Sequence, residues 1–156
     1  MVYIFLDIDG VLNNKDHYKK QHEKYGGRFF CQNMPFNPKS IENLQKVVSQ
    51  FDAKIVLTSS WRKSAPCMTV LEARLCEYGL KIYDKTGDCG GSRGNEILDW
   101  MFAHTTDDDA YIIIDDEPYD IEESFKKDNI VFVDGTKGFN KPKMQEAIYK
   151  FKQQIK

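Results

Sequence analysis

The sequence predicts an α/β protein in which a central parallel sheet of about five strands lies between two layers of helices. Short apolar runs rich in β-branched and aromatic residues alternate with segments whose apolar residues recur at helical spacing. This alternation is typical of a parallel sheet, because each strand must return across the sheet through a helix. The 156 residues have the length of one domain, and no linker or repeat divides them, so we expect a single domain over 1–156.

Five apolar runs are the predicted strands. Each is four or five residues long and lacks the polar alternation of a half-exposed strand, which indicates burial on both faces. The third run has the weakest pattern. The predicted strands are Val2–Leu6, Ala53–Leu57, Leu80–Tyr83, Tyr111–Ile114 and Ile130–Val133.

Four stripes of apolar residues predict amphipathic helices between and after these strands. The first follows Asn37 and Pro38, which suit a helix cap and a first turn. The second lies between Pro66 and Gly79, and glycine is typical just beyond a helix. A further short helix is expected within residues 120–127. The four stripes are Ile41, Leu44, Val48 and Phe51; Cys67, Leu71, Leu75 and Tyr78; Ile97, Leu98, Met101 and Phe102; and Met144, Ile148, Phe151 and Ile155.

Residues 13–36 interrupt this rhythm and are expected to form a loop or small insert. A loop of this length in a compact domain is usually functional or mobile. Basic and aromatic residues alternate in it, which suits contacts with phosphates and stacking on bases, although a solvated amphipathic loop has the same composition. These residues are Lys15, Lys19, Lys20, Lys24 and Arg28, with Tyr18, Tyr25, Phe29 and Phe30 among them.

The composition excludes several classes of protein. A net charge of −2 argues against a polycation that coats nucleic acid. No apolar run approaches the ~20 residues that span a bilayer. The first ten residues lack a basic region and contain acids, unlike a signal peptide, so we expect a cytoplasmic protein with no membrane partner. Four cysteines without CxxC spacing favour reduced thiols over a disulfide framework or a zinc site.

Acidic and hydroxyl side chains follow three of the predicted strands. The first strand is followed by residues 7–10 (DIDG), the second by 58–62 (TSSWR) and the fourth by 115–117 (DDE). Open α/β sheets bind ligands beyond the carboxyl ends of their strands, so these side chains should converge. Either acidic pair alone would also suit a turn or a helix cap. Carboxylates gathered at one edge would repel each other without a cation, and hard oxygen ligands favour Mg²⁺.

Three motifs resemble those of the haloacid-dehalogenase (HAD) superfamily of phosphohydrolases. DIDGV at 7–11 is similar to its nucleophile motif, IVLTSS at 55–60 to its hydroxyl motif, and IIIDDE at 112–117 to its acidic metal motif. LDIDGVLN, VLTSSWR and RGNEI followed by Trp100 further resemble the small HAD domains associated with RNA-repair proteins. The resemblance spans nearly the whole chain. It implies a three-layer, Rossmann-like HAD fold with a minimal cap or none.

The resemblance also implies catalytic roles for individual residues. Asp7 would attack phosphorus and become a transient aspartyl phosphate, a recognised form of covalent catalysis. Asp9 would protonate the leaving oxygen and then deprotonate the attacking water. Ser59 would bind a phosphoryl oxygen, and Thr58 remains an alternative because the end of the strand is uncertain by one residue. Arg93 would be the cation that stabilises the phosphoryl group.

The remaining site residues follow from the same resemblance. Many members of the superfamily carry Lys at the position of Arg93, so Arg62 and a lysine such as Lys143 remain alternatives. Substrate contacts are expected from Ser60, Arg62 and Gly10. Mg²⁺ would be bound by Asp7, Asp115 and the main-chain carbonyl of Asp9, with Asp116 acting directly or through water.

The predicted function is a Mg²⁺-dependent phosphomonoester hydrolase. Between Leu80 and Asp115 there is no room for a folded cap, and an open site favours a large substrate such as a nucleotide or a polynucleotide terminal phosphate. The alternatives are a phosphatase of a small phosphorylated metabolite or a phosphoprotein, and a phosphate-binding or phospho-accepting module with slow turnover. A carboxylate-cluster nuclease is disfavoured because no His or Lys lies near the motifs as an activated base.

Overall fold

The computed structural model describes residues 1–118 and 120–155. The elements are β1 (Val2–Leu6), α1 (Lys15–Tyr25), α2 (Pro38–Phe51), β2 (Lys54–Leu57), α3 (Ala65–Cys76), β3 (Ile82–Lys85), α4 (Arg93–His104), β4 (Ala110–Asp115), α5 (Ile121–Ser124), β5 (Ile130–Phe132) and α6 (Lys141–Gln154).

All five strands are parallel and lie in the order β3-β2-β1-β4-β5. The predicted α/β class with a parallel sheet between helices is confirmed. Since β1 is central and the chain continues first to one side and then to the other, the strand order reverses between β1 and β4. Ligands of open α/β sheets bind at such a point.

The register aligns the carboxyl ends of the three central strands. Leu6 at the end of β1 pairs with Leu57 of β2 and with Ile114 of β4. The amide of Asp7 then donates to the carbonyl of Ile114 (3.0 Å), and the amide of Thr58 donates to the carbonyl of Leu6 (3.0 Å). The polar residues that follow these strands therefore start from one edge of the sheet, as the sequence predicted.

Two apolar clusters cover the two faces of the sheet, because successive side chains of a strand point to opposite faces. On β1, Ile4 and Leu6 face one cluster, whereas Tyr3 and Phe5 face the other. The first cluster contains buried residues of α2, α3 and α6, and the second those of α4 and α5. These helices form the two outer layers.

The structure corrects the predicted buried face of α4. The apolar stripe included Leu98 and Phe102, but these side chains are exposed, Phe102 by 95%. Ile97 of the stripe is buried as predicted, and Trp100, which was not part of it, is buried as well, with its ring packed edge-on against Tyr3 and Phe5. The spacing predicted the helix correctly, but it could not show which of several apolar residues would meet the sheet.

The segment 13–36 is partly helical. Its first half forms α1, and residues 31–33 form a short 3₁₀ helix. Helix α1 buries no residue, and its apolar side chains are too few to predict a helix by periodicity. The caps of α2 and α6, in contrast, follow ordinary rules: Asn37 and Asn140 each accept a hydrogen bond from the first turn, and proline follows in both helices.

Within the described residues, no helix combines the length and the apolar character that crossing a membrane would need.

Candidate active site

Three carboxylates gather beyond the ends of β1 and β4. Asp7, Asp115 and Asp116 each place a side-chain oxygen within 4.8 Å of the others. Asp7 is 6% exposed and Asp115 is fully buried, whereas Asp116 is half-buried at the cleft. A cluster of hard oxygen donors of this kind can hold a divalent metal ion.

Burial and mutual repulsion disfavour the ionised forms of the three carboxyl groups. Burial, together with the nearby charge of Asp7, raises the pKa of Asp115 to about 7. Burial and the charges of Asp7 and Glu117 raise the pKa of Asp116 to about 6. Burial also raises the pKa of Asp7, although Arg93 acts in the opposite direction. A bound cation would relieve this repulsion and favour the ionised carboxylates.

Arg93 lies between two of the carboxylates. Its guanidinium is 3.3 Å from Asp7 Oδ1 and 2.5 Å from Asp115 Oδ2. Arg93 is the first residue of α4, and Asp120 fixes this end of the helix by accepting hydrogen bonds from the Gly94 amide (2.9 Å) and the Ser92 hydroxyl. The sequence-predicted cation is therefore in the cleft, on a helix end that is itself held in place.

The hydroxyl residues after β2 have three different environments. Ser59 is fully buried, and its hydroxyl accepts a hydrogen bond from the Trp61 amide (3.4 Å). Its position beside Asp7 acts to lower the pKa of that carboxyl, against the larger effect of burial. Ser60 lines the cleft beside Arg93. The Thr58 hydroxyl is buried and finds no hydrogen-bond partner among the described residues. Ser59 thus favours the ionised form of Asp7, and Ser60 is the hydroxyl residue that lines the open cleft.

Asp9 also lines the cleft, but its carboxylate is bonded to Trp61 and Asn13 rather than to the cluster around Arg93. The indole Nε1 of Trp61 donates to both oxygens at 3.1 Å, and Asn13 Nδ2 donates to Oδ1 at 2.6 Å. Sequence patterns did not identify Trp61 or Asn13 as site residues. Asn13 ends the motif LDIDGVLN and Trp61 belongs to VLTSSWR, but neither motif assigned these two residues a role.

Gly10 and Gly135 make room for Asp116. Gly10 has a φ of +76°, in the left-handed region that favours glycine. A Cβ atom on Gly10 would lie 2.1 Å from Asp116 Oδ2, and one on Gly135 would lie 2.5 Å from the same oxygen. Gly10 also lines the cleft, as its predicted substrate contact requires, but the close approach to Asp116 is the clearer reason for glycine here.

Arg62, a predicted substrate contact, is instead bonded to other parts of the chain. Its Nε donates to the carbonyl of Thr86, and Nη1 donates to the carbonyls of Thr58 and Ser59. Its Nη2 donates to the carbonyl of Gly87 (2.8 Å) and to Glu96 Oε2 (2.7 Å). A guanidinium has five N–H donors, and all five are used, so Arg62 has none left for a phosphate. It joins the turn after β2 to α4 instead.

The site opens to solvent through a cleft of about 400 Å³. Carboxylates line this cleft together with residues of the segment 13–36, among them Lys15, Tyr18 and Met34. Lys143, the alternative cation, pairs with Glu146 on α6 (2.7 Å). Of the residues predicted for the site, the cleft thus contains Asp7, Asp9, Gly10, Ser60, Arg93 and Asp116, with Ser59 and Asp115 directly behind it.

Comparison with known proteins agrees with the resemblance seen in the motifs. A family model described as the HAD domain in Swiss Army Knife RNA repair proteins matches residues 3–144. No significant match was found among curated proteins or among solved structures. The matched range includes all three motifs and every residue of the cleft.

Proposed function

The chain belongs to the family of HAD domains in Swiss Army Knife RNA repair proteins, and from this premise we propose that it is a Mg²⁺-dependent phosphomonoesterase. The observation that supports this most directly is the cluster of Asp7, Asp115 and Asp116 with Arg93 beside it, at the bottom of an open cleft. The cluster combines a candidate nucleophile, metal ligands and a cation within the reach of one phosphoryl group.

The residues present fit a magnesium ion. Mg²⁺ prefers oxygen ligands, and it usually retains waters beside one or two carboxylates and a substrate phosphate. Asp7 and Asp115 would bind it together with the Asp9 carbonyl, and Asp116 would act directly or through water. When bound, the ion would neutralise negative charge on the phosphoryl group and orient it toward Asp7.

In the proposed reaction, an Asp7 carboxylate oxygen attacks phosphorus and forms an aspartyl phosphate. The bond from phosphorus to the ester oxygen breaks, and Asp9 donates a proton to the departing alcohol. A water molecule then attacks phosphorus, and Asp9 takes its proton. The bond from phosphorus to Asp7 breaks, which releases inorganic phosphate and restores the Asp7 carboxylate, while Asp9 is again protonated for the next turnover.

Arg93 and the hydroxyl residues would support both steps. Arg93 is close enough to Asp7 to bind a phosphoryl group on it, and a guanidinium can donate to two phosphate oxygens at once. The Ser59 hydroxyl favours the ionised form of the Asp7 carboxyl, and Ser60 would donate to a phosphoryl oxygen from the cleft wall.

The proposed substrate is a nucleotide or the terminal phosphate of a polynucleotide. The cleft is open, and Lys15 and Tyr18 line it together with the carboxylates. An ammonium group suits a neighbouring phosphate, and an aromatic ring suits a base. A small metabolite or a phosphoprotein would use the same phosphoryl site without these two groups.

The test is a phosphatase screen with Mg²⁺ and with EDTA. Substrates should include para-nitrophenyl phosphate, nucleotides, 3′- and 5′-phosphorylated oligonucleotides, sugar phosphates and phosphopeptides. We expect Mg²⁺-dependent phosphate release, fastest from a nucleotide or oligonucleotide, and none from the variant Asp7→Asn, which keeps the shape of the side chain but lacks the nucleophile. A stable phosphorylated protein with no turnover would instead indicate a phospho-accepting module.

A further inference from the structure

The carboxylate of Asp9 is unusually constrained for an exposed side chain at a cleft. The Trp61 indole N–H spans both of its oxygens, at 3.1 Å from each. The Asn13 amide nitrogen donates to Oδ1 alone, at 2.6 Å. Two donors from separate parts of the chain thus fix the orientation of one carboxylate.

Each donor is itself fixed by its surroundings. Trp61 is 6% exposed, and its ring packs against Phe36, with ring centroids 5.4 Å apart. Asn13 is 8% exposed, and its Oδ1 accepts a hydrogen bond from the Gly10 amide (2.9 Å). A side chain that is buried and bonded at both ends has little freedom, so neither donor can follow Asp9 if the carboxylate rotates.

We infer that Trp61 and Asn13 are positioning residues for the proton transfer by Asp9. This inference rests on the proposed phosphatase function, in which Asp9 exchanges a proton with the leaving oxygen. Asn13 and Trp61 both engage Oδ1, whereas Trp61 alone engages Oδ2, so Oδ2 is the oxygen that transfers the proton. An indole N–H can only donate, which means that Trp61 orients the carboxylate without competing for that proton.

The same contacts tie Asp9 to the segment 13–36. Asn13 is the first residue of this segment, and Phe36, which packs on Trp61, is the last. Lys15 and Tyr18, on the wall of the cleft, belong to the same segment. The orientation of Asp9 therefore depends on the placement of the wall that would meet the leaving group.

The test compares two substrates in the variant Trp61→Phe, which removes the N–H and keeps an aromatic ring. An alkyl phosphate such as glycerol phosphate needs protonation of its leaving oxygen, whereas para-nitrophenolate leaves without it. The quantity to compare is kcat/KM, because it reports phosphoryl transfer to Asp7 and not the later hydrolysis of the aspartyl phosphate, which is common to both esters. For the alkyl ester we expect kcat/KM to fall by about tenfold or more, since general acid catalysis contributes roughly 10²–10⁴. For para-nitrophenyl phosphate, kcat/KM should fall by less than about threefold.

Trp100→Phe is the matched control. Trp100 is 5% exposed, and its indole N–H donates to a carboxylate oxygen of Asp84 at 2.8 Å, outside the cleft. The control removes the same type of hydrogen bond from an equally buried ring, and the ratio of the two kcat/KM values should not change. If Trp61→Phe does not fold, Asn13→Leu should give the same selective loss while the Trp61 ring stays in place.

An equal loss on both esters, in Trp61→Phe or in Asn13→Leu, would overturn the inference and leave the phosphatase function intact. A change of the kcat/KM ratio in Trp100→Phe would overturn it as well, because the selective loss would then be a general effect of core packing. A wild-type protein that hydrolyses neither these esters nor any nucleotide or oligonucleotide of the phosphatase screen would contradict the proposed function itself. The two failures are therefore distinguishable.

Discussion

Arg93 and Arg62 line the same small pocket at the edge of the cleft, and the side chain of each is largely buried. Arg93 contacts the carboxylates of Asp7 and Asp115. Arg62 is bonded to four main-chain carbonyls and to Glu96. The two arginines therefore differ in their hydrogen-bond partners, and not in their burial or in their distance from the motifs.

This difference distinguishes a residue of the candidate active site from a residue that stabilises the structure around it. A carboxylate that faces a cleft can exchange one partner for a metal ion or a phosphoryl group, because solvent and substrate reach it. The carbonyls of Thr58 and Ser59, in contrast, belong to the turn that follows β2. If Arg62 turned toward a substrate, these two carbonyls would lose their hydrogen bonds and the turn would be less stable. On the proposed function, Arg93 acts on the substrate and Arg62 acts on the fold.

The largest effect is expected from Arg93→Ala. Loss of a preorganised donor to a developing anion typically reduces kcat by 10²–10³, and a lost positive charge should bring the decrease to about 10³ for para-nitrophenyl phosphate. Steady-state kinetics with saturating Mg²⁺ measure it. Arg93→Lys restores the charge without the planar fork and should recover part of the rate. A rate for Arg93→Ala within tenfold of the wild type would mean that another cation serves the phosphoryl group.

Arg62→Met should act on stability instead. It leaves Glu96 as a buried charge without its partner, and such losses typically lower the free energy of unfolding by about 3 kcal/mol or more. Urea unfolding followed by fluorescence measures the change. Below the transition, KM for para-nitrophenyl phosphate should equal that of the wild type.

The control for this second prediction is Arg74→Met. Arg74 also pairs with a glutamate, Glu77, at 2.8 Å, but both side chains are about half exposed. Surface pairs of this kind contribute little, so the control should change stability by less than about 1 kcal/mol. If Arg62→Met is as stable as Arg74→Met and has a raised KM, Arg62 belongs to the substrate site after all.

The two arginines also show how far the sequence could be interpreted. Motif spacing placed Asp7 and Asp115 at one edge of the sheet, because parallel strands align their carboxyl ends, and the family resemblance added Arg93. The resemblance left Arg62 as an alternative, since many members of the superfamily carry Lys at the position of Arg93. Only the acceptors around each guanidinium distinguish the two arginines, and three of the five around Arg62, on Thr86, Gly87 and Glu96, lie 24 to 34 positions away in the sequence.

The segment 13–36 was less predictable for a related reason. Helix α1 buries no side chain, and a helix of this kind has no apolar stripe by which its sequence would predict it. The contact of Trp61 with Asp9 was equally hidden, because it joins residues 52 positions apart through one side-chain nitrogen. Local patterns can show where a helix or a strand forms, but not which buried donor will meet which acceptor.

A smaller effect is expected from Gly10→Ala, which disturbs the carboxylate region without touching either arginine. A non-glycine residue at this positive φ is strained by roughly 1–2 kcal/mol, and the new Cβ atom would also displace the Asp116 carboxylate. We expect the Mg²⁺ concentration for half-maximal activity to rise by about tenfold. Titration of activity with Mg²⁺ measures this shift.

Gly79→Ala separates the two causes of that effect. Gly79 has a φ of +68°, close to that of Gly10, but a Cβ atom on it would have no neighbour within 4 Å. The control carries the backbone strain without a clash, so it should lower stability and leave the Mg²⁺ requirement unchanged. An unchanged requirement in Gly10→Ala would show that the position of Asp116 does not matter for the ion.

The smallest effect is the stabilisation of the protein by Mg²⁺ itself. At a free concentration about ten times its Kd, a ligand that binds only the folded state adds about 1.4 kcal/mol to the free energy of unfolding. We expect this gain in the wild type and in Arg62→Met, which starts from a lower stability, and not in Asp115→Asn. Urea unfolding with Mg²⁺ or with EDTA, at matched ionic strength, tests all three proteins.

The increase in the free energy of unfolding that Mg²⁺ causes should also depend on pH. Its pH dependence should be opposite in sign to the one that the two carboxyl groups give the metal-free protein. In that protein the pKa values of Asp115 and Asp116 are raised to about 7 and 6, so the folded state binds protons more tightly than the unfolded state. These two groups therefore stabilise the metal-free fold as the pH falls from 8 toward 4. Mg²⁺ needs the ionised carboxylates, and its contribution should be larger at pH 8 than at pH 6. An equal gain at both values, or one that survives in Asp115→Asn, would place the ion outside this cluster and remove the basis for assigning Arg93 and the carboxylates to one site.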